Sequence, residues 1–368
     1  MTPVPRSSAA KAFREAYAGA KRACYAGLDA LTLREELARR IARAVPVDAC
    51  ALSVADPEVG VLTHTVAAGV PPAYTREFVL EVYPEHEASL LVALARSGVR
   101  VTSAVSPECD RLARRHGLGR NLRLVPSVGG ALWGAICLMR ETGGRGFDDA
   151  DRRLLARLAP HIARGFRSAL LRASPTDAAR GGDRADGAGT GVVVYDGRGR
   201  VVLRDRQAAR YLDDLGDPSR GEVVPTAVGG VLARLRWTHR RPGPREDEPL
   251  DAALRARGRS GRWYTLRASL AEPNAAGEAY SVVTIGPIGL AERAGLLARL
   301  YGLTPREREV LRRLARGESS KQIAAALGIS IHTVQDFVDG ACAKVGVRGR
   351  KALLAKIFFD AGAAGDAA

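Results

Sequence analysis

Apolar and polar positions change period several times along the chain, and each change marks a new kind of element. From about Phe13 to Ala44 apolar residues recur at helical spacing. The stretch "DACALSVADPEVGVLTHTVAAG" then holds two strand-like runs about an Asp-Pro turn, which predicts a hairpin. Helical periodicity returns near 72–97 and 107–116. "NLRLVPSVGGALWGAICLMRE" predicts two further strands joined at Gly129-Gly130. "FDDADRRLLARLAPHIARGFRSALLRA" predicts a long amphipathic helix with Leu154, Leu155, Leu158, Ile162, Phe166 and Leu170 on one face. Asp148 is its expected N-cap and Asp151 lies in its first turn, so these acids have a structural task.

"ASPTDAARGGDRADGAGTG" is small, polar and glycine-rich and predicts a linker over 173–190. "GVVVYDGRGRVVLRDRQAARYLDDLG" follows, with two strands about Asp196-Gly197 and a short helix carrying Ala208, Ala209, Tyr211 and Leu212. "GRWYTLRASL" and "EAYSVVTIGPI" predict two more strands, and "HRRPGPREDEP" reads as a loop inside this region.

The last sixty residues are helical throughout. Thr304-Pro305-Arg306-Glu307 is a capping box with proline at the first helical position, and Val310, Leu311 and Leu314 face inward up to Gly317. Ser319 and Gln322 form a second capping box, opening a short helix that buries Ile323, Ala324 and Leu327 and stops at Gly328. Ser330 caps a third helix with Val334, Val338, Ala341 and Val345 inward; a fourth carries Leu353, Leu354 and Ile357. Short helix, Gly-Ile-Ser turn and longer helix make a helix-turn-helix arrangement.

At 368 residues the chain exceeds one ordinary core and predicts two or three domains. Hydrophobic content of 46% and charged content of 26% are those of a soluble globular protein. A formal charge of +16 fits a polyanionic partner, nucleic acid first and anionic membrane second. Most of that charge is arginine alongside abundant alanine and glycine, which a GC-rich genome would also produce. The charge permits a partner and does not select one. Cys24, Cys50, Cys109, Cys137 and Cys342 lie far apart without a CxxC or Cys/His cluster, so neither a disulfide framework nor a zinc site is expected. Lys11, Arg14, Lys21 and Arg22 interrupt any leader-like apolar run, and no stretch reaches the roughly 18 apolar residues of a membrane span. A cytoplasmic protein is expected. The histidines are dispersed, His64 and His161 read as plain element residues, and "VGGVLARL" lacks the lysine of a phosphate loop. No enzymatic activity and no cofactor are expected, and any cofactor-binding residues are unassigned.

Four ordered motifs, "LTPREREVL", "KQIAAALGIS", "HTVQ" and "KVGVRGR", fall at the spacing of the LuxR-type transcriptional regulators, which residues 300–358 resemble. The hairpin, the Gly-Gly turn, "LWGAICLMR" and the "FDDAD" helix over roughly 28–170 resemble a GAF-type sensor domain. Strand pair, helix and antiparallel strands in the middle are similar to a PAS domain. The fold class implied is α+β multidomain: GAF-like and PAS-like α/β sensor domains, then an all-α four-helix LuxR-type helix-turn-helix domain. The divisions expected are a GAF-like domain with its N-terminal helical segment (1–172), a linker (173–190), a PAS-like domain (191–288), a connecting helix (289–299), the DNA-binding domain (300–360) and a disordered tail (361–368).

The resemblance also implies roles. Residues 319–338 look like the helix-turn-helix proper, with the helix from Ile331 placed in the major groove. Ser320 and Lys321 resemble phosphate-meeting positions, as do Ser330 and Thr333 at the helix N-terminus. His332, Gln335, Asp336 and Asp339 point outward; glutamine suits adenine and aspartate suits the cytosine amino group. Lys344, Arg348 and Arg350 are further DNA-binding candidates, with Arg306, Arg312, Arg313 and Lys351 adding to phosphate attraction. The chain departs from the pattern where Gln335 replaces a usually basic residue and Phe337 a usual histidine, and Asp339 stands where an acid is not preferred. Gly340 inside the helix costs about 1 kcal/mol against alanine. Asp339 therefore either repels phosphate or accepts from a base. Implied partners are double-stranded DNA, a second copy of the chain, a small-molecule ligand in the GAF-like part and RNA polymerase, with no membrane. The alternative is a signalling or interaction protein whose divergent helix-turn-helix dimerises or docks partners with little DNA affinity.

Overall fold

Glycine and aspartate break the first expected helix in two. The computed structural model describes residues 6–172, 189–197, 199–216, 225–240, 252–272 and 279–359. Helix α1 runs Arg6–Tyr25 and α2 runs Ala30–Ala44. Gly27 between them has φ +77°, and Asp29 caps α2 by accepting from the amides of Leu31 and Thr32. Most of the expected linker and of the 239–249 loop, and all of the 361–368 tail, lie outside the described residues.

The chain divides into two compact units, Met1–Pro287 and Ile288–Ala368. In the first, β1 (Ala49–Asp56) and β2 (Val61–Ala68) form the expected hairpin. Helix α3 (Pro72–Glu77), a π-helical segment (Phe78–Glu87) and α4 (Ala88–Arg96) follow as one continuous helical stretch. Then come β3 (Val101–Thr102), α5 (Pro107–Arg115), β4 (Leu118–Leu124), β5 (Ser127–Val128), β6 (Ala131–Leu132) and β7 (Gly134–Glu141). The Gly129-Gly130 turn joins only the small ribbon β5–β6; the principal strands β4 and β7 also pair, but through that longer excursion. Helix α6 (Asp149–Leu171) is capped by Asp148 as expected, in a capping box with Asp151, and Leu154, Leu155, Leu158, Ile162, Phe166 and Leu170 are all buried.

Beyond the linker, β8 (Gly191–Asp196) and β9 (Val201–Arg204) pair about the Asp196-Gly197 turn, and α7 (Arg206–Leu215) follows. Helix α8 (Thr226–Arg240) and strands β10 (Ala252–Arg257), β11 (Trp263–Ala271) and β12 (Tyr280–Pro287) complete the region. The two five-stranded sheets run β2-β1-β7-β4-β3 and β10-β11-β12-β8-β9. Counted within each sheet, both orders are second, first, fifth, fourth, third, and every pairing is antiparallel. The chain has built one topology twice.

The two sheets share a core. Ala55, Leu62, Leu80 and Tyr83 from the first side belong to one buried cluster with Val193, Val228, Val231, Leu254 and Leu266 from the second. Helix α8 packs against β2, the π-helical segment, β10 and β11. Two glycines make that approach: a Cβ on Gly229 would stand 2.3 Å from the Val79 carbonyl oxygen, and one on Gly230 2.5 Å from that of Leu62. Polar links cross the same seam. The Arg255 amide donates to the buried Asp56 carboxylate at 2.7 Å, Arg236 pairs with Glu85 at 2.9 Å, and the Thr65 and Thr226 hydroxyls lie 3.1 Å apart. Burial pushes the Asp56 carboxyl up, against the opposing pull of Arg255.

The second unit is entirely helical over its described residues: α9 (Leu290–Leu300), α10 (Pro305–Ala315), α11 (Ser320–Leu327), α12 (Ile331–Val345), α13 (Gly349–Leu354) and a closing π-helical turn (Ala355–Phe359). Its core holds Val310, Leu311, Leu314, Ile323, Val334, Val338, Ala341, Val345, Leu353 and Ile357, joined by Ala294 and Ala298 of α9. The inward faces expected of all four helices are thus inward, except that Leu327 and Leu354 are only half-buried.

Candidate nucleic-acid interface

The three helix starts that set the interface are fixed by local hydrogen bonds. Thr304 caps α10 through the Glu307 amide while Glu307 accepts from the Thr304 amide, and Ser319 and Gln322 do the same for α11. Ser330 caps α12 by accepting from the Thr333 amide at 3.0 Å. Gly328, with φ +63°, ends α11 in the left-handed conformation and turns the chain into α12 within three residues. Ile323 and Ala324 of α11 and Val334 and Val338 of α12 are buried where the two helices pack.

That packing leaves one face of α12 in solvent. His332, Gln335, Asp336 and Asp339, at intervals of three and four, are all exposed. Gln335 Nε2 donates to Asp339 Oδ1 at 3.0 Å, and His332 Nδ1 lies 4.0 Å from Asp336. Lys321 is exposed at the start of α11; Ser320 beside it is half-buried. Ser330 is exposed and its hydroxyl lies 2.9 Å from that of Thr333. Phe337 is half-buried against the core of the unit, which explains an aromatic residue on an otherwise polar helix turn.

Not every cation expected at the interface is available. Lys344 Nζ donates to both oxygens of Glu307, at 2.7 and 2.8 Å, and Arg350 donates to the Glu318 carbonyl at 2.8 Å. Arg306 pairs with Glu309 at 2.9 Å and Arg313 with Glu318 at 3.0 Å. Arg312, Lys321, Arg348 and Lys351 are exposed and have no ion pair among the described residues. Arg348 occupies the cap position of α13 without a side-chain cap bond. Leu353 and Ile357, expected on the fourth helix, are buried in the unit's own core, where α9 packs against the closing π-helical turn.

Glu307 is the functional neighbour that sequence reasoning assigned only to a cap. It is 6% exposed, and a Cβ on Gly340 would stand 3.0 Å from its Oε1. Glycine inside α12 therefore makes room for this carboxylate. Burial opposes ionisation of Glu307, but Lys344 and Thr304 outweigh it and hold the carboxyl below its ordinary range. A depressed carboxyl pKa adds stability that is complete above the unfolded value, about 4.3, and lost as pH falls through the folded value. Glu307→Gln is expected to lower the stability of this unit by about 1 kcal/mol at neutral pH, since Lys344 is partly exposed. In thermal unfolding the gap between wild type and variant should close below about pH 4.

Residues 302–356 match the sequence profile of the bacterial regulatory proteins of the luxR family, and residues 29–166 match that of the GAF domain. The chain carries a LuxR-type helix-turn-helix domain after a GAF domain. A probable transcriptional regulatory protein, SgaR of Hyphomicrobium methylovorum, is 37% identical over 140 residues, covering 35% of this chain. The chain spans 64% of that relative's length. A VqmA–ligand–DNA complex of Vibrio cholera is similar at 17% identity over 46% of this chain and 82% of that one, with a TM-score of 0.23. PelD of Pseudomonas aeruginosa is similar at 17% identity over 79% of this chain and 82% of that one, with a TM-score of 0.30.

The GAF domain contains a polar interior that the sequence does not announce. Glu87, at the end of the π-helical segment, and Arg123 of β4 form an ion pair, 0% and 3% exposed. The Ser106 amide donates to Glu87 at 2.7 Å, and Arg123 Nη2 donates to Cys109 Sγ at 3.4 Å. Burial pushes the Cys109 thiol up to about 12, which makes it a poor nucleophile. His64 of β2 is held neutral, its pKa pushed down to about 3 by burial and then by Arg34 and Arg257. His161, read as a plain helix residue, bridges the Tyr17 and Tyr25 hydroxyls at 3.2 and 2.9 Å. Among the described residues no cluster of His, Cys, Asp and Glu has metal-holding geometry, and no helix is long and apolar enough to cross a membrane.

Proposed function

We propose that this LuxR-type regulator is a cytoplasmic, sequence-specific DNA-binding protein that acts as a dimer on a pseudo-palindromic operator under the control of its N-terminal unit. The observation that carries this reading is the exposed face of α12, capped by Ser330 and flanked by α11 with Lys321 at its start. The start of α12, with the Ser330 and Thr333 hydroxyls beside it, suits a phosphate, and Lys321 at the start of α11 adds a cation. Arg312, Arg348 and Lys351 supply further backbone attraction. Two copies related by a two-fold axis would read half-sites about one helical turn apart. The repeated strand order supports a PAS-like reading of residues 191–288, and the shared core gives a route by which a small molecule in the GAF domain would reach the second sheet. RNA polymerase is the partner such a regulator would address.

A gel-shift of the full chain on genomic fragments at low salt tests the reading. Retarded complexes that weaken steeply with salt are expected, with a dimer by sedimentation; absence of any complex contradicts it. Lys321→Ala should weaken binding about equally on all sequences and flatten the salt slope by about one unit. An unchanged slope would place Lys321 away from the backbone.

A second reading is favoured by specific residues. Asp336 and Asp339 make the outward face acidic, and Lys344 is committed to Glu307. An interaction module that docks a protein partner through α12 would show no retarded complex at any salt.

A further inference from the structure

We infer that the exposed face of α12 reads amino groups in the major groove, so that the strand it faces carries cytosine and adenine at the contacted positions. This rests on the DNA-binding reading above and assigns it a base chemistry. Gln335, Asp336 and Asp339 still have hydrogen-bonding capacity to offer once their own bonds are counted.

A carboxylate only accepts, so the 3.0 Å contact between Gln335 and Asp339 fixes the amide: Nε2 donates to Asp339 Oδ1. Oε1 of Gln335 remains as an acceptor, and Asp339 Oδ2 remains as another. Asp336, with its side chain 63% exposed, has only a 4.0 Å contact with His332 and keeps both oxygens for accepting. The face therefore presents mainly acceptors. Neither lysine nor arginine occurs on α12 before Lys344, and that ammonium is held by Glu307 at 2.7 and 2.8 Å.

Base edges answer such a face unequally. Guanine turns O6 and N7 to the major groove, and thymine turns O4, all acceptors. Cytosine offers its N4 amino group, and adenine its N6 amino group beside N7. Carboxylates set against O6 or O4 would lose hydration without gaining a bond, and like partial charges would meet. Against N4 or N6 each gains a charge-assisted bond. Gln335, with one N–H still free, suits adenine, and Asp336 and Asp339 suit cytosine. The Gln335–Asp339 bond also holds both side chains in place before binding, so less rotamer freedom is lost on docking.

The test is selection from a random-sequence duplex library by the full chain and by its Asp336→Asn and Asp339→Asn variants, with thermal unfolding confirming that each is folded. Each variant keeps the side-chain size and converts one acceptor oxygen to a donor. Wild type is expected to enrich half-sites with cytosine or adenine on one strand at the contacted pairs. Each variant should lose roughly ten-fold of the preference at one pair and leave the rest of the site unchanged. In the enriched sites, N4-methylation of that cytosine should weaken binding roughly ten-fold, and 7-deazaguanine opposite it should change binding less than about two-fold. The inference is overturned if 7-deazaguanine abolishes binding, or if both variants tighten binding on every sequence alike with preferences unchanged, which would make the acids purely repulsive. Failure of wild type to enrich any sequence removes the DNA-binding reading, and this inference with it.

Discussion

Arg123→Ala is expected to cost the N-terminal unit about 3–5 kcal/mol. Glu87 has no exposed surface, and its partner Arg123 is 3% exposed. Removing the guanidinium leaves a carboxylate whose remaining donor is the Ser106 amide, in an interior that cannot hydrate it. Replacing both partners with apolar residues of similar volume, Glu87→Leu with Arg123→Met, should recover most of that loss, because the cost belongs to the orphaned charge. Urea unfolding of the two variants separates the accounts. Equal losses in the single and the double variant would mean that the ion pair itself stabilises the unit.

Gly229→Val is the second large effect, expected at about 3 kcal/mol, towards the upper end of the overpacking range. A Cβ there meets the Val79 carbonyl oxygen at 2.3 Å, and that oxygen is backbone in a helical segment with no rotamer to change. Helix α8 must therefore retreat from the π-helical segment, and the shared core of the two sheets opens with it. Hydrogen exchange should show faster exchange along β2 and α8 together, with the amides of α12 unaffected. Protection lost in α8 alone would show that the two sheets do not depend on this contact.

These two sites also show where the sequence was opaque. The LuxR-type domain was legible almost residue by residue, because its signals are local: two capping boxes, a serine cap, and glycines at φ +63° and +76° that end α11 and α12. Hydrophobic faces at helical spacing then placed Val334, Val338 and Val345 inward. Arg123 was hidden because "NLRLV" alternates as though one face met water, whereas helices cover both faces of that sheet and the polar alternate is buried. Glu87 sits among helical residues where a charge ordinarily marks a solvated face. Helix α8 was hidden by Gly229 and Gly230, which lower helix propensity yet are required by the close approach of another backbone. The Lys344–Glu307 pair spans 37 residues, and no local pattern encodes it. The outward face of α12 was read correctly as acidic, but the bond that orients Gln335 became visible only in three dimensions.

Tethered cleavage tests most directly whether α12 enters a DNA groove. Ile331, 53% exposed at the first turn of α12, can be replaced by cysteine and joined to an iron chelate. Cys24, Cys50, Cys109 and Cys342 are buried, which leaves Cys137 as the native thiol to be removed first. Bound to a selected duplex, the labelled chain is expected to cut in two patches about one helical turn apart, each centred in the major groove. Uniform cleavage along the duplex, or none above that of the free chelate, would contradict the account.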